Sequence, residues 1–226
     1  MREIILDTET TGLDYRSGDR VIEVGCVETI NYVATTKHLQ FYCSTEKKIG
    51  EGAAKVHGLT NIFLSKYPPF EANVRKLLDF IGNDTLIIHN ADFDVGFINN
   101  ELRLIGLKPL KNEIIDTIPL ARKKLNSRIA NLDYLCRRFS IDLSKRSLHG
   151  ALLDCYLLAE VYLELKGGKQ ISLNLHPNDK KKPNKKNNNS TAKQPISKIN
   201  ICDEDIQTHK ELVKNIKNSL WEKINY

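Results

Sequence analysis

The segment Ile4-Ile5-Leu6-Asp7-Thr8-Glu9-Thr10-Thr11-Gly12 contains the pattern on which the fold and chemistry of this chain depend. An apolar run typical of a β-strand carries two carboxylates, Asp7 and Glu9, two residues apart, so both side chains leave the same face of the strand. Two like charges this close on a buried strand are unfavourable unless a cation lies between them. The pattern therefore favours a divalent metal site of oxygen ligands. The alternative is an acidic strand end that faces solvent.

The remaining apolar patterns predict an α/β fold. Strand-type segments at 1–8, 20–33 and 36–43 come first, with a hairpin connection at Ala34-Thr35. Short strands then alternate with helices, which favours a mixed sheet flanked by helices. The strands are predicted at 86–88 and 114–115, and the helices at 70–81, from about Asp92, around 117–125, at 130–139 and at 150–165.

Composition limits the class of protein. The chain has 226 residues, 41% of them hydrophobic, which is enough for one packed domain with a tail. No apolar stretch approaches the roughly 20 residues of a membrane span, and the charged N-terminus is not a secretory signal. The five cysteines form no CxxC pair. We expect a reduced, cytoplasmic protein with no membrane partner.

The net charge of +6 belongs to one segment. Residues 176–198 contain seven lysines and one aspartate, and the remainder of the chain has 27 basic and 27 acidic residues. Residues 177–198 are almost free of apolar side chains, so we expect a disordered Lys/Asn-rich linker there. Its lysines could contact DNA phosphates, but a solvated spacer is the preferred interpretation. Beyond it, a helical spacing predicts a C-terminal docking helix formed by Ile206, Val213, Ile216, Leu220 and Ile224, with Trp221 beside them.

A second acidic motif, His89-Asn90-Ala91-Asp92-Phe93-Asp94, joins a predicted strand to a helix. Asp92 or Asn90 could be the helix N-cap, which is a common use of these residue types. That interpretation leaves Asp94 unexplained, one turn inside the helix.

A third motif begins the last predicted helix of the apolar region, His149-Gly150-Ala151-Leu152-Leu153-Asp154. Asp154 lies roughly 80–120° from the exposed stripe marked by Glu160 and Glu164, so it points toward protein and needs a partner. His149 is five residues earlier and is expected on the loop that enters the helix. A lone histidine is usually structural, but a neighbouring metal ligand makes a catalytic role the better hypothesis.

These three motifs, in this order, resemble those of the DEDDh 3′–5′ exonucleases, which have an RNase H-like fold with a mixed five-stranded sheet. The segments 7–12, Val56-His-Gly-Leu59, 144–154 and 158–163 are similar to those of the proofreading epsilon subunits of bacterial DNA polymerase III. The resemblance covers residues 1–175 almost continuously and returns more weakly at the C-terminus.

The resemblance implies hydrolysis with two divalent ions, Mg²⁺ or Mn²⁺. Asp7 would bridge both ions, Glu9 and Asp154 would complete the inner site, and Asp94 would serve the second ion. His149 would be the general base for the attacking water, and the product would be a 5′-mononucleotide.

The substrate contacts that the resemblance implies involve five residues. Backbone groups from Thr8 to Thr10 would hold the DNA 3′ end, with Leu13 against the base, and His57 and Asn90 are assigned to the terminal nucleotide. His57 could instead be a loop histidine without a ligand. Asp92 stands where relatives carry a small residue; we expect it to cap its helix rather than to alter the second ion.

The predicted organisation has four parts: an exonuclease domain (1–168), a sliding-clamp-binding peptide (169–176), the linker (177–198) and a polymerase-binding segment (199–226). Gln170, Leu173 and Leu175 would bind the clamp, and Leu220 and Trp221 would bind the alpha subunit of DNA polymerase III. A small theta-type subunit is a further possible partner, and the location would be the replisome on the bacterial nucleoid. The alternatives are a stand-alone exoribonuclease that trims RNA 3′ ends and a non-enzymatic tether between polymerase and clamp.

Overall fold

The computed structural model describes residues 1–144, 146–168 and 203–214. The first two ranges contain a five-stranded sheet and seven α-helices, and the last range forms a helix of its own, α8 (Asp203–Lys214). The strands are β1 (Arg2–Thr10), β2 (Val21–Ile30), β3 (Val33–Tyr42), β4 (Thr85–Ile88) and β5 (Ile114–Asp116). The helices are α1 (Glu51–His57), α2 (Asn61–Leu64), α3 (Phe70–Ile81), α4 (Ala91–Leu104), α5 (Thr117–Leu125), α6 (Leu132–Arg138) and α7 (Ala151–Lys166).

The sheet is mixed, as predicted, with the strand order β3-β2-β1-β4-β5. β1 is central: it pairs antiparallel with β2 and parallel with β4. The carboxyl ends of β1 and β4 therefore lie side by side, an arrangement that commonly positions the binding site of an open α/β sheet. The predicted α/β fold is confirmed.

Two hydrophobic cores lie on opposite faces of the sheet. Ile4 and Leu6 of β1 belong to the core that includes α3 and α4. Ile5 belongs to the core that includes α5, α6 and α7. Because side chains alternate along a strand, Asp7 and Glu9 continue the face of Ile5, on the side of α7, whereas Thr8 continues the face of α4.

The predicted hairpin connection at Ala34-Thr35 is wrong. The turn consists of Asn31 and Tyr32, since Ile30 pairs with Val33, and both turn residues have positive φ (51° and 70°). Two residues with positive φ give the primed turn that matches strand twist, and asparagine tolerates this conformation well. The strand pattern extended through the turn because Tyr32 is a strand-type residue.

Gly25 allows α7 to approach the sheet closely. A Cβ atom at Gly25 would lie 2.4 Å from the carbonyl carbon of Ala151 and 2.5 Å from the amide nitrogen of Leu152. Gly25 is also the β2 residue that pairs with Asp7. The first turn of α7 is therefore held against the strand pair that carries the acidic residues.

Several predictions concern residues outside the described ranges. These are the clamp-binding peptide at 169–176, the linker at 177–198, and Leu220 and Trp221 of the docking helix. The predicted C-terminal helix is present at Asp203–Lys214. Within the described ranges, none of the helices is long and apolar enough to cross a membrane. The short helices α1 and α2 lack a strong apolar period and were not predicted.

Candidate active site

A cavity of about 750 Å³ lies at the carboxyl ends of β1 and β4. All ten residues predicted for catalysis, metal binding and substrate contact line it: Asp7, Thr8, Glu9, Thr10, Leu13, His57, Asn90, Asp94, His149 and Asp154. Four different parts of the sequence thus converge on one site. The volume is in the range of small-molecule and cofactor sites.

Asp7 and Glu9 form the acidic centre of the cavity. Burial raises the pKa of Asp7 well above its usual range, and the nearby charges of Asp94, Glu9 and Asp154 raise it further. Burial, followed by the charges of Glu23 and Asp154, raises the pKa of Glu9 to about 8. Repelling carboxylates in a buried site favour either protons or a bound cation.

Glu23 is a further carboxylate of this centre that the sequence analysis missed. It pairs directly with Glu9 across β1 and β2 and is 2% exposed. Its carboxylate accepts a hydrogen bond of 2.7 Å from Gln40, and the first backbone amides of α7, at Ala151 and Leu152, favour its charged form. Glu23 therefore stabilises the start of α7, and the strand register that places it beside Glu9 was the signal for its location.

Asp94 lies in the first turn of α4 and is 3% exposed. One of its oxygens accepts hydrogen bonds from both the hydroxyl and the amide of Thr8. Burial raises the pKa of Asp94 although these hydrogen bonds oppose the rise. The link to Thr8 attaches α4 to β1 at the edge of the acidic centre.

Among the described residues, Glu9, His149 and Asp154 form a close group of candidate ligands. One ligand atom from each lies within 4.8 Å of the other two. His149 stands on the loop before α7, as predicted, and its amide donates to the carbonyl of Val56. Its Nδ1 atom is 3.2 Å from Oδ2 of Asp154, and its side chain is 44% exposed. A half-exposed imidazole beside buried carboxylates can exchange protons with solvent.

Asp154 has the partner that its buried position requires, namely Arg146. Nε of Arg146 donates to Oδ1 and Nη2 to Oδ2, both at 2.7 Å. Burial favours a raised pKa, but the hydrogen bonds of Arg146 and His149 prevail and hold the pKa of Asp154 below its usual range. Arg146 lies within the quoted motif 144–154, but nothing in its spacing indicated that it enters the cavity.

His57 is buried rather than placed in a loop, since it is the last residue of α1 and is 5% exposed. Its Nδ1 atom accepts a hydrogen bond of 3.0 Å from the amide of Leu59, and its buried Nε2 atom makes no hydrogen bond of ordinary geometry. Burial lowers its pKa, and the backbone of Thr10 opposes this shift. A neutral ring with a free Nε2–H is suited to donate to a ligand. Leu13, at the cavity rim, is 86% exposed and available for a hydrophobic contact.

The prediction that Asp92 caps α4 is wrong. The N-cap residue is Asn90, with φ of 72°, and its side chain makes no capping hydrogen bond. The carboxylate of Asp116, at the end of β5, accepts from the amides of Asn90 and Ala91 instead. Asp92 is an exposed residue of the first helical turn. A distant carboxylate thus supplies the cap, which local sequence could not indicate.

The donor set suits hard divalent cations. Asp7, Glu9, Asp94 and Asp154 supply oxygen ligands of the kind that Mg²⁺, Mn²⁺ and Ca²⁺ bind. Among the described residues that line the cavity, Arg146 is the only lysine or arginine, and five aspartates and glutamates surround it. The excess of negative charge in the lining therefore favours the binding of divalent cations.

The chain is similar in sequence to known exonucleases and replication subunits. Residues 4–162 match the family model of exonucleases named RNase_T. The DNA polymerase III subunit epsilon of Rickettsia felis is 41% identical over 222 residues, covering 96% of this chain and 97% of that protein. The subunit epsilon of Buchnera aphidicola is 44% identical over 174 residues, covering 74% of this chain and 73% of that protein.

Two solved nucleases share the fold of this chain. The nuclease domain of 3′hExo, a DEDDh family member bound to rAMP, superposes with a TM-score of 0.62 at 18% identity, covering 74% of this chain and 92% of that chain. Exonuclease X in complex with 5′-overhanging duplex DNA gives a TM-score of 0.58 at 23% identity, covering 72% of this chain and 90% of that chain. At these identities the likeness concerns the fold, and it confirms the RNase H-like architecture.

Proposed function

This chain belongs to the exonuclease family, and on that premise we propose that it proofreads DNA replication as the epsilon subunit of a bacterial DNA polymerase III. It removes mispaired nucleotides from the 3′ end of a primer strand as 5′-mononucleotides. The observation that carries the proposal is the convergence of four carboxylates and His149 on one cavity.

The catalytic roles follow from the positions of the side chains. Asp7, Glu9, Asp94 and Asp154 would hold two divalent ions, Mg²⁺ or Mn²⁺. Bound ions would supply charge stabilisation at the scissile phosphate and a more acidic attacking water. His149 accepts the proton of that water at Nε2 while its Nδ1 atom faces Asp154. Its exposed ring can return the proton to solvent afterwards.

The substrate is held by residues at the rim and floor of the cavity. Leu13 packs against the terminal base. Its side chain is highly exposed, so its apolar surface is available for that contact. His57 donates from Nε2 to the terminal nucleotide, which gives its buried N–H a partner. Thr8, Thr10 and Asn90 line the same space and contact the strand end.

A side-by-side digestion tests the substrate. Mismatched primer DNA and an RNA strand of the same sequence are incubated with the full-length protein and Mg²⁺, and mononucleotide release is measured. We expect faster release from the mismatched DNA. Preference for RNA would identify an RNA-trimming enzyme instead, and no release from either strand would favour the tether interpretation.

The remaining regions would attach the exonuclease to its partners. We assign 169–176, with Gln170, Leu173 and Leu175, to the sliding clamp, and 199–226, with Leu220 and Trp221, to the polymerase alpha subunit. A small theta-type subunit would be a further partner, and the assembly would work in the cytoplasm at the nucleoid. Deletion of residues 199–226 tests the second assignment directly. It should abolish co-purification with the polymerase alpha subunit and leave excision intact. Retained binding would refute the assignment.

A further inference from the structure

Among the described residues that line the acidic cavity, Arg146 is the positively charged side chain. Its side chain is 7% exposed, and that of Asp154 is 5% exposed. The guanidinium engages both oxygens of Asp154, and its third nitrogen pairs with Asp133. Nη2 also lies 2.9 Å from Nδ1 of His149. One buried side chain thus contacts both the carboxylate and the imidazole assigned to the reaction.

The contact with His149 conflicts with the role of that residue as a base. An arginine has only donors, so Nδ1 of His149 can accept from Arg146 only when it carries no proton. The same Nδ1 atom is 3.2 Å from Oδ2 of Asp154, to which it can donate only when it carries one. A base that accepts a proton at Nε2 needs this second arrangement, with Nδ1–H directed toward Asp154. The contact with Arg146 therefore opposes the tautomer in which His149 can act.

The contact with Asp154 opposes a bound ion in the same way. A carboxylate has about four lone-pair sites, and the bidentate arginine uses two of them. An ion at Asp154 would share this carboxylate with a fixed positive charge in a site of low dielectric, where repulsion is strong.

We propose that Arg146 competes with the divalent ion for Asp154, and so couples filling of the inner ion site to the release of His149. The inference rests on the proposed metal site. Without an ion, Arg146 neutralises Asp154 and stabilises the start of α7. With an ion at the carboxylate, the guanidinium would withdraw, and Nδ1 of His149 would keep Asp154 as its partner and donate to it.

The test is the affinity of the full-length protein for Mn²⁺, measured by electron paramagnetic resonance or calorimetry. A residue that merely supports a metal ligand lowers affinity about 10- to 100-fold when it is removed. Competition predicts the opposite sign, so Arg146→Gln should bind Mn²⁺ about tenfold more tightly. Unchanged or weaker binding by Arg146→Gln would overturn the proposal. Absence of Mn²⁺ binding by the unmodified protein would instead overturn the metal site itself.

A second measurement covers the case in which Arg146→Gln folds poorly. Because the variant leaves Asp154 without its partner, its melting temperature in chelator should fall, and Mn²⁺ should restore it. Arg146→Lys keeps the charge and should bind Mn²⁺ as the unmodified protein does; tenfold tighter binding would contradict charge competition.

Arg20 provides the matched control. It forms the same bidentate pair with Glu101, a carboxylate that is 1% exposed and lies outside the cavity. Arg20→Gln should lower the melting temperature with no change in Mn²⁺ affinity, so Mn²⁺ should raise its melting temperature only as much as that of the unmodified protein and less than that of Arg146→Gln. Equal stabilisation of the two variants by Mn²⁺ would contradict a specific role for Arg146.

Discussion

Thr8 donates two hydrogen bonds to the same carboxylate oxygen of Asp94, from its hydroxyl at 2.6 Å and from its amide at 2.9 Å. Both residues are buried. The pair links the central strand to the first turn of α4, so the geometry of the acidic centre depends on a threonine that carries no charge.

The hydroxyl of Thr8 should matter for both stability and ion binding. Thr8→Val keeps the shape of the side chain and removes a hydrogen bond to a carboxylate, so we expect a loss of about 1.5–3 kcal/mol in the free energy of unfolding. Urea denaturation measures the loss of stability, and Mn²⁺ titration measures the effect on ion binding. Thr29→Val is the control, since its buried hydroxyl donates to the carbonyl of Glu3, away from the cavity. It should lose less stability and keep its Mn²⁺ affinity; equal losses of affinity would contradict the prediction.

Stability in chelator should fall as pH rises from about 6.5 to 8. The pKa of Glu9 is about 8 in the folded protein, against about 4.5 when unfolded, so in this interval the folded state holds a proton that the unfolded state has released. Stability then decreases with pH, by about 1.4 kcal/mol per unit for one proton. Asp7 and Asp94, whose pKa values are also raised, act in the same direction.

The raised pKa of Glu23 acts in the same direction as that of Glu9, whereas the histidines and Asp154 act at lower pH. The pKa values of His57 and His89 are lowered, so they reduce stability only as pH falls through and below about 6.5. The lowered pKa of Asp154 acts only near and below about 3.8. Thermal melts of Glu9→Gln should show a clearly weaker pH dependence between 6.5 and 8. If Glu9→Gln showed the same pH dependence as the unmodified protein, Glu9 would be ruled out as a source of the loss of stability with rising pH.

Removal of the imidazole of His149 should affect turnover rather than ion binding. A positioned general base contributes about 10²–10⁴-fold, so His149→Ala should lose turnover by about that factor. Single-turnover excision and Mn²⁺ affinity are measured on the same preparation. His38→Ala is the control: His38 contacts the hydroxyl of Tyr156 and does not line the cavity, so its turnover should not change. Near-normal activity of His149→Ala would remove it as the base.

Gly25→Ala should displace α7. The new methyl group would meet backbone atoms of Ala151 at 2.4 Å, and backbone cannot move aside as a flexible side chain can. Such overpacking costs about 1–3 kcal/mol, and movement of the first turn of α7 would shift Asp154 away from Glu9. Denaturation and Mn²⁺ titration should both be affected.

Gly52→Ala is the stability control for this prediction. Gly52 lies in α1, where a Cβ atom meets nothing within 4 Å, so alanine should be neutral or slightly stabilising. A wild-type melting temperature for Gly25→Ala would show that α7 can move back without cost.

The α/β class, the central strand and the grouping of the acidic residues could be predicted from the amino-acid sequence. Strand periodicity placed Asp7 and Glu9 on one face, and helical periodicity turned Asp154 toward the protein. These predictions agree with the structure because each depends on a pattern that is local in the chain. The roles of the residues come from the resemblance to a nuclease family and stay predictions.

The distant groups that support the site could be identified only from the tertiary structure. Asp116 caps α4 in place of Asp92, Glu23 stands beside Glu9, and Arg146 neutralises Asp154. Each of these contacts follows from strand register or from the approach of α7 over Gly25. Local propensity cannot encode such contacts, because the two partners meet only after the sheet has formed and the helices have packed on it.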